Sequence, residues 1–200
     1  MKFFAAAAAL CTLVAAAPLA PWEVMAPPPD GTQFYQLQTK SATAAVSGQW
    51  VALKTGSTTY SLAAQQAAAT KFFVNKYAPT STFAVHNADD TRQLALQGPN
   101  GVLLSLVDAT NPTTDSIPKG TLMEWATFTM DNNVLFVKDG STLANRTFVA
   151  VKGSGSDYGI ALYDGKYSVN ERAYLPPNDS QGASTTASTI TPVTINIVKA

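Results

Sequence analysis

The feature that most constrains this chain is a succession of short apolar runs separated by turn-forming residues. From Phe34 onward many runs alternate apolar with polar side chains, as at Leu94 and Leu96 or at Ile195 and Ile197. A period of two is that of a β-strand with one buried face. The gaps between runs read "GPNG", "DNN", "KDG", "GSGSDYG" and "YDGK", which are turn sequences. The pattern predicts an all-β domain of about twelve short strands.

One segment departs from this pattern. Residues 61–73 are rich in alanine and are compatible with one or two turns of helix. Elsewhere the alternation predicts strands at residues 34–39, 49–54, 58–63, 70–75, 81–86, 92–97, 101–107, 124–130, 133–138, 146–152, 158–163 and 192–199.

The strand pattern repeats along the chain. Residues 72–108 and 128–164 each contain four of the expected strands, and Arg92 with Leu94 in the first unit matches Arg146 with Phe148 in the second. A looser version of the unit begins near residue 34. Three units of about forty residues, with four strands each, predict a β-trefoil. The alternatives are a Greek-key β-sandwich and a partly open barrel.

The first residues have the layout of a secretory signal peptide. Lys2 precedes an apolar run that ends in small residues, with the expected cleavage between Ala16 and Ala17. We therefore expect residues 1–16 to be removed, residues 17–33 to form a Pro-rich arm, and residues 34–200 to form one β domain.

A signal peptide over residues 1–16 would leave a mature chain with no thiol, because the single cysteine, Cys11, lies within it. The mature chain would then have no disulfide and no cysteine nucleophile. No later run reaches the ~18 apolar residues of a membrane helix. Two sequons, at Asn145 and Asn178, are expected N-glycosylation sites of a secreted glycoprotein. Residues 166–191 read as a Ser/Thr/Ala-rich loop before the final strand.

Charge argues against several classes of partner. Charged residues make up 13% of the chain, and thirteen basic residues balance thirteen acidic ones. Nucleic acid and anionic membranes both require a concentrated basic face. A weakly charged surface rich in hydroxyl groups suits an extracellular protein among neutral polysaccharides. We expect a monomer without cofactor, with cell-wall polysaccharide as the partner.

The residue types needed for common catalytic sites are scarce. The one histidine, His86, ends an expected strand and is predicted to face solvent, and no G-x-S-x-G sequence is present. Glu124, which precedes Trp125, is the one candidate acid for glycoside hydrolysis. That reaction requires a second carboxylate at a defined separation, and the sequence does not locate one. Asp108 and Asp164 occupy equivalent repeat positions, which favours a role at turns or strand ends. These observations predict a protein that is not an enzyme.

Aromatic residues offer candidate ligand contacts, because exposed rings can stack on sugar faces. Trp50 and Trp125 lie in alternating strands and are predicted to be core residues. Tyr158, Tyr163 and Tyr167 lie around turns and are the predicted ligand contacts.

The order of these features resembles that of the fungal PhiA-like cell wall proteins. The segments that carry the resemblance are "FYQLQTKSATAAVSGQWVAL", "ATKFFVN", "STFAVHN", "RQLALQG", "IPKGTLMEWATFTMDNNVLFVKDG" and "TPVTINIVKA". Members of that family usually carry cysteines, which the mature chain would lack. The resemblance implies a secreted, wall-associated protein that is linked to asexual development and has no known catalytic activity. The alternative functions are a carbohydrate-binding, lectin-like module and a secreted effector.

Overall fold

The computed structural model describes residues 28–99, 101–110, 117–138, 146–153, 155–165 and 190–200. These residues form fourteen strands and two short 3₁₀ turns, with no α-helix among them. The strands are β1 (Tyr35–Lys40), β2 (Trp50–Leu53), β3 (Tyr60–Ala63), β4 (Phe72–Tyr77), β5 (Thr82–Asn87), β6 (Gln93–Gly98), β7 (Leu103–Ala109), β8 (Leu122–Trp125), β9 (Phe128–Asp131), β10 (Val134–Val137), β11 (Thr147–Lys152), β12 (Tyr158–Tyr163), β13 (Ile190–Pro192) and β14 (Thr194–Lys199).

Ten strands close an antiparallel barrel. Their order is β12, β3, β2, β1, β14, β10, β9, β5, β6 and β7, and β7 pairs back onto β12. The extra strands attach to this ring: β11 pairs with β12, β13 with β11, β8 with β6, and β4 with both β1 and β5. The prediction of an all-β chain is confirmed, and the closed ring is compatible with the barrel alternative.

Two of the expected strands are each divided in the structure. The prediction of one strand over residues 124–130 was wrong, because Ala126 has a φ of 55° and separates β8 from β9. The expected final strand over residues 192–199 is divided at Val193, which lies between β13 and β14. The Ala-rich residues 61–73 contain a single 3₁₀ turn, Gln66–Ala68, between β3 and β4.

The core lies inside the ring and is built from the alternating apolar positions of most strands. Phe72 and Phe128, which the repeat places at matching positions, are both buried in this core together with Leu94, Leu96 and Ile195. Burying each such side chain contributes about 1.5–3 kcal/mol relative to leaving it in water. The repeat observed in the sequence is therefore, at these positions, a repeat of core-forming residues.

The matching aspartates of the repeat make matching backbone contacts. The N–H of Asp108 donates to the carbonyl of Thr58 at 2.8 Å, and the N–H of Asp164 donates to the carbonyl of Val102 at 3.0 Å. The first bond joins the end of β7 to the residues just before β3, and the second joins the end of β12 to the residue just before β7. Both carboxylates are buried. Their equivalence is therefore structural, as the repeat predicts.

Several predicted features lie outside the described residues. They are the signal peptide at residues 1–16 with its cleavage site at Ala16 and Ala17, most of the arm at residues 17–33, the sequons at Asn145 and Asn178, Tyr167, and nearly all of the loop at residues 166–191.

Within the described part of the chain, no helix has both the length and the apolar content needed to cross a membrane.

Candidate functional site

An open groove lies where the turn between β4 and β5 faces the break between β8 and β9. Its volume is about 390 Å³, within the range of about 300–1,000 Å³ that is common for small-ligand sites. The residues that line this groove are Tyr77, Pro79, Thr80, Trp125, Ala126, Thr127 and Lys138. We call it the Tyr77–Trp125 groove.

The floor of the groove depends on the backbone of Ala126. Its φ of 55° lies in the left-handed region, which is unfavourable for a residue with a Cβ. The hydroxyl of Thr82, a fully buried residue of β5, donates to the carbonyl of Ala126 at 2.5 Å. The hydroxyl of Thr80 lies 2.5 Å from that of Thr82 and extends the chain of hydroxyls to the groove. The bond from Thr82 gives the carbonyl of Ala126 a buried hydrogen-bond partner.

Two aromatic side chains line the groove together with a hydroxyl group. Tyr77 ends β4, Trp125 ends β8, and both are half-buried. Thr80 contributes a hydroxyl to the lining, whereas the Thr127 hydroxyl is buried without a hydrogen-bond partner in the described part of the chain. Aromatic faces beside hydroxyl groups can hold a sugar ring by stacking and by hydrogen bonds.

The two tryptophans predicted to be core residues have different environments. Trp50 is buried, as predicted. Trp125 is half-buried and lines the groove, because the chain leaves the strand conformation directly after it, at Ala126. Its prediction as a core residue was wrong for that reason.

A smaller pocket adjoins the groove and shares Tyr77 and Ala126 with it. Its volume is about 20 Å³, which is room for one water molecule. His86 and Gln93 line it and are register partners in the pairing of β5 with β6.

The prediction that His86 faces solvent was wrong. The residue is 5% exposed, its ring stacks on Phe73 with centroids 5.1 Å apart, and its Nδ1 lies 2.6 Å from Oδ1 of Asp90. Burial lowers the pKa of His86, and the nearby Asp90 carboxylate offsets part of that effect. Burial therefore favours the neutral form of the imidazole in the folded state.

Gln93 has an unusual environment for an amide side chain. It is 1% exposed, and neither its Nε2 nor its Oε1 has a hydrogen-bond partner among the described residues. A buried amide without partners costs about 1–3 kcal/mol. Gln93 lines the adjoining pocket, which has room for one water molecule as a partner for this amide.

The predicted ligand contacts on β12 do not lie in this groove. Tyr158 begins β12 and packs against the main core, whereas Tyr163 ends it and packs against a second cluster that includes Leu103 and Val149. Both are half-buried, and neither lines the groove or the adjoining pocket. A strand of this length separates them by roughly 17 Å.

Glu124, the suggestive acid, is held by an arginine. Both of its carboxylate oxygens accept hydrogen bonds from the Arg146 guanidinium, at 3.0–3.1 Å. Arg146 also donates to the carbonyl of Gly101 at 3.4 Å. This pair joins β8 to the start of β11, which supports a structural role for Glu124.

The described residues contain no group of three or more His, Cys, Asp or Glu side chains that could hold a metal ion.

The chain matches no protein-family model, no curated protein and no solved structure.

Proposed function

We propose that this chain is a secreted, non-enzymatic protein that binds polysaccharide of the cell wall or extracellular matrix through the Tyr77–Trp125 groove. The observation that carries the proposal is the groove itself, in which two half-buried aromatic residues lie beside the hydroxyl of Thr80. Aromatic faces contribute stacking area, and hydroxyls fix the orientation of a polyhydroxylated ligand. The signal-peptide pattern and the resemblance to fungal PhiA-like cell wall proteins support the extracellular location.

We also propose that the fold is a β-trefoil. The pairings that support it form a second, shorter ring in the order β1, β4, β5, β9, β10 and β14, with β14 returning to β1. Three hairpins remain, namely β2–β3, β6–β7 and β11–β12. They contact one another through the pairings of β12 with β3 and with β7 and through the bridge between Thr59 and Val107.

This arrangement supports three units of similar construction. Each would contribute two strands to the short ring and one hairpin, with β8 and β13 as additions to the second and third units. These units begin one strand later than the sequence repeats over residues 72–108 and 128–164, which start at β4 and β9, and they keep the same order of strands. The repeated scaffold then holds the loops, and the groove is built from loops and strand ends of the kind that carry function on rigid scaffolds.

The test is direct binding by the mature protein. We expect soluble β-glucan, chitin oligosaccharides or pectic oligosaccharides to bind in calorimetric titrations. Trp125→Ala should weaken that binding roughly tenfold by removing a stacking surface. Phe136→Ala is the matched control, because this aromatic residue is 49% exposed and does not line the groove.

Two outcomes would overturn the proposal. One is that the wild-type protein binds none of these polysaccharides. The other is that Phe136→Ala weakens binding as much as Trp125→Ala, because the groove would then have no special role. Fractionation of the producing organism tests the location separately, since absence from both wall and culture medium contradicts an extracellular role.

A further inference from the structure

Lysines are present, and aspartates and glutamates are absent, among the residues that line the groove and the adjoining pocket. Lys138 lines the Tyr77–Trp125 groove, and Lys76 lines the adjoining pocket beside Tyr77. No aspartate or glutamate is among the residues that line either cavity. Lys138 is therefore the one charged residue among those that line the groove.

Three cationic side chains of the described residues are in salt bridges, and the lysines outside them include the exposed Lys40. Arg92 pairs with Asp108, Arg146 with Glu124 and Lys54 with Asp157, whereas no salt bridge of the described residues includes Lys76 or Lys138. The net charge of the whole chain is zero. The lysine among the residues that line the groove is thus a local feature that the total charge does not reveal.

The position of Lys138 is set by the backbone. Its N–H donates to the carbonyl of Thr127 at 2.7 Å, which fixes the start of its side chain at the rim opposite the turn between β4 and β5. Lys76 is in the antiparallel pairing of β4 with β5, opposite Phe83. Because successive side chains of a strand point to opposite faces, the Lys76 side chain lies on the other face of β4 from that of Tyr77, and Lys138 is the lysine that the groove offers to a ligand.

We propose that the ligand of this groove is an acidic polysaccharide whose sugar units carry carboxylate groups, as uronic acids do. This inference rests on the proposed polysaccharide-binding function. The sugar ring stacks on Tyr77 or Trp125, one of its hydroxyls bonds to Thr80, and its carboxylate pairs with Lys138. A uronate joins an apolar ring face and a carboxylate in one unit, and this combination matches the chemistry that lines the cavity.

The test compares ligands of equal size that differ in charge. Hexagalacturonate and its fully methyl-esterified form are titrated into the mature protein, with neutral laminarihexaose as a third ligand. We expect the acid to bind about tenfold more tightly than its ester at low salt. The difference should disappear near 1 M NaCl, where the Debye length falls to about 3 Å.

Lysine variants test which side chain accounts for the preference for the acidic ligand. Lys138→Gln should lower the affinity for hexagalacturonate about fivefold, as expected for one charge pair in a watery site. Its affinity for the ester should fall by a clearly smaller factor. Lys40→Gln is the control, because this exposed lysine ends β1 and lines neither cavity.

The outcomes separate the two proposals. Equal affinity for acid and ester overturns the preference for carboxylates and leaves polysaccharide binding intact. Failure of all three ligands, together with the other polysaccharides named above, overturns the proposed function as well. A loss in Lys40→Gln as large as that in Lys138→Gln also overturns the inference, because binding would then follow total charge. Tight binding of phosphorylated mannan with weak binding of hexagalacturonate would assign the site to phosphate instead and contradict it.

Discussion

The hydroxyl of Thr82 donates a hydrogen bond of 2.5 Å to the carbonyl oxygen of Ala126, across 44 positions of sequence. This bond joins β5 to the break between β8 and β9, and both residues are buried. It satisfies a carbonyl that the left-handed conformation of Ala126 turns away from the strand direction. The floor of the groove therefore depends on one hydroxyl.

Replacing that hydroxyl should affect both stability and binding. We expect Thr82→Val, which keeps the side-chain shape, to lower the free energy of unfolding by about 1–3 kcal/mol because it leaves the Ala126 carbonyl buried without a partner. Polysaccharide affinity should fall as well, since the chain around Trp125 loses its anchor. Urea denaturation and titration measure the two effects. Thr82→Ser keeps the hydroxyl, and a loss as large as that of Thr82→Val would contradict this explanation.

The partnerless amide of Gln93 predicts an unusual response to substitution. Gln93→Met keeps a similar length and removes two polar atoms that lack partners, so the free energy of unfolding should stay constant or rise by about 1–3 kcal/mol. Gln36→Met is the matched control. The Gln36 amide is also buried, but it donates to the carbonyl of Gln66 at 3.3 Å and accepts from the Gln66 amide at 2.9 Å. Denaturation should show Gln36→Met to be destabilising, and an equal loss in Gln93→Met would refute the interpretation.

The buried histidine predicts a pH dependence of stability. Because burial lowers the pKa of His86 in the folded state, the unfolded chain binds more protons below its usual pKa of about 6.5. The free energy of unfolding should therefore fall as the pH drops from about 6.5 towards the lower pKa of the folded state. His86→Phe keeps an aromatic ring beside Phe73 and removes the only histidine of the chain, so this part of the pH dependence should vanish.

A second variant tests the role of Asp90 in that dependence. The Asp90 carboxylate raises the pKa of His86 against the larger effect of burial. Asp90→Asn should lower that pKa further and steepen the loss of stability in acid. Asparagine tolerates the φ of 59° at this position. Thermal unfolding between pH 7 and pH 5 provides the measurement, and a flatter profile in Asp90→Asn would argue against the assignment.

The Asp108 carboxylate has two partners, a buried tyrosine hydroxyl and a half-exposed arginine, and substitutions can compare their contributions to stability. The Tyr60 hydroxyl donates to Oδ1 of Asp108 at 2.9 Å, and Nη1 of Arg92 lies 2.9 Å from Oδ2. Burial raises the pKa of the Tyr60 phenol, and the negative charge of Asp108 raises this pKa further, so the hydroxyl remains a donor. The Asp108 side chain is 2% exposed, whereas that of Arg92 is 42% exposed.

We therefore expect Tyr60→Phe to be the more damaging change. It should lower the free energy of unfolding by about 1.5–3 kcal/mol, because a buried carboxylate loses its neutral donor. Arg92→Gln should cost about 0–1 kcal/mol, as solvent screens the pair. Guanidinium denaturation of both variants and of their combination measures the difference. The reverse order would show that Arg92 is the main partner of Asp108.

The sequence was informative wherever local pattern decides structure. Alternation at positions such as Leu94 and Leu96 predicted strands whose bounds the structure reproduces within about two residues for most elements. The repeat placed Phe72 and Phe128 at matching positions, and both are core residues. These features follow from period and turn chemistry alone.

The groove could not be predicted in the same way. Its residues come from three separate segments, around Tyr77, Trp125 and Lys138, and no local pattern joins them. The break at Ala126 depends on a hydroxyl far away in sequence, and alanine gives no signal for a positive φ. His86 is likewise buried by neighbouring strands, with its carboxylate supplied four positions later by a turn. Tertiary contacts, and not propensity, decide all three.

Closure of the ring by β14 has a kinetic consequence. This strand pairs with β1 over six positions, from Tyr35 opposite Lys199 to Lys40 opposite Thr194, and on its other side with β10. The barrel therefore cannot seal until residues 194–199 have left the ribosome, and pairing over so long a loop slows folding. Until then the edges of β1 and β10 remain open to any matching strand. At high concentration the β14 of a second copy is such a strand, and we therefore expect exchange of β14 between copies as a route of misassembly.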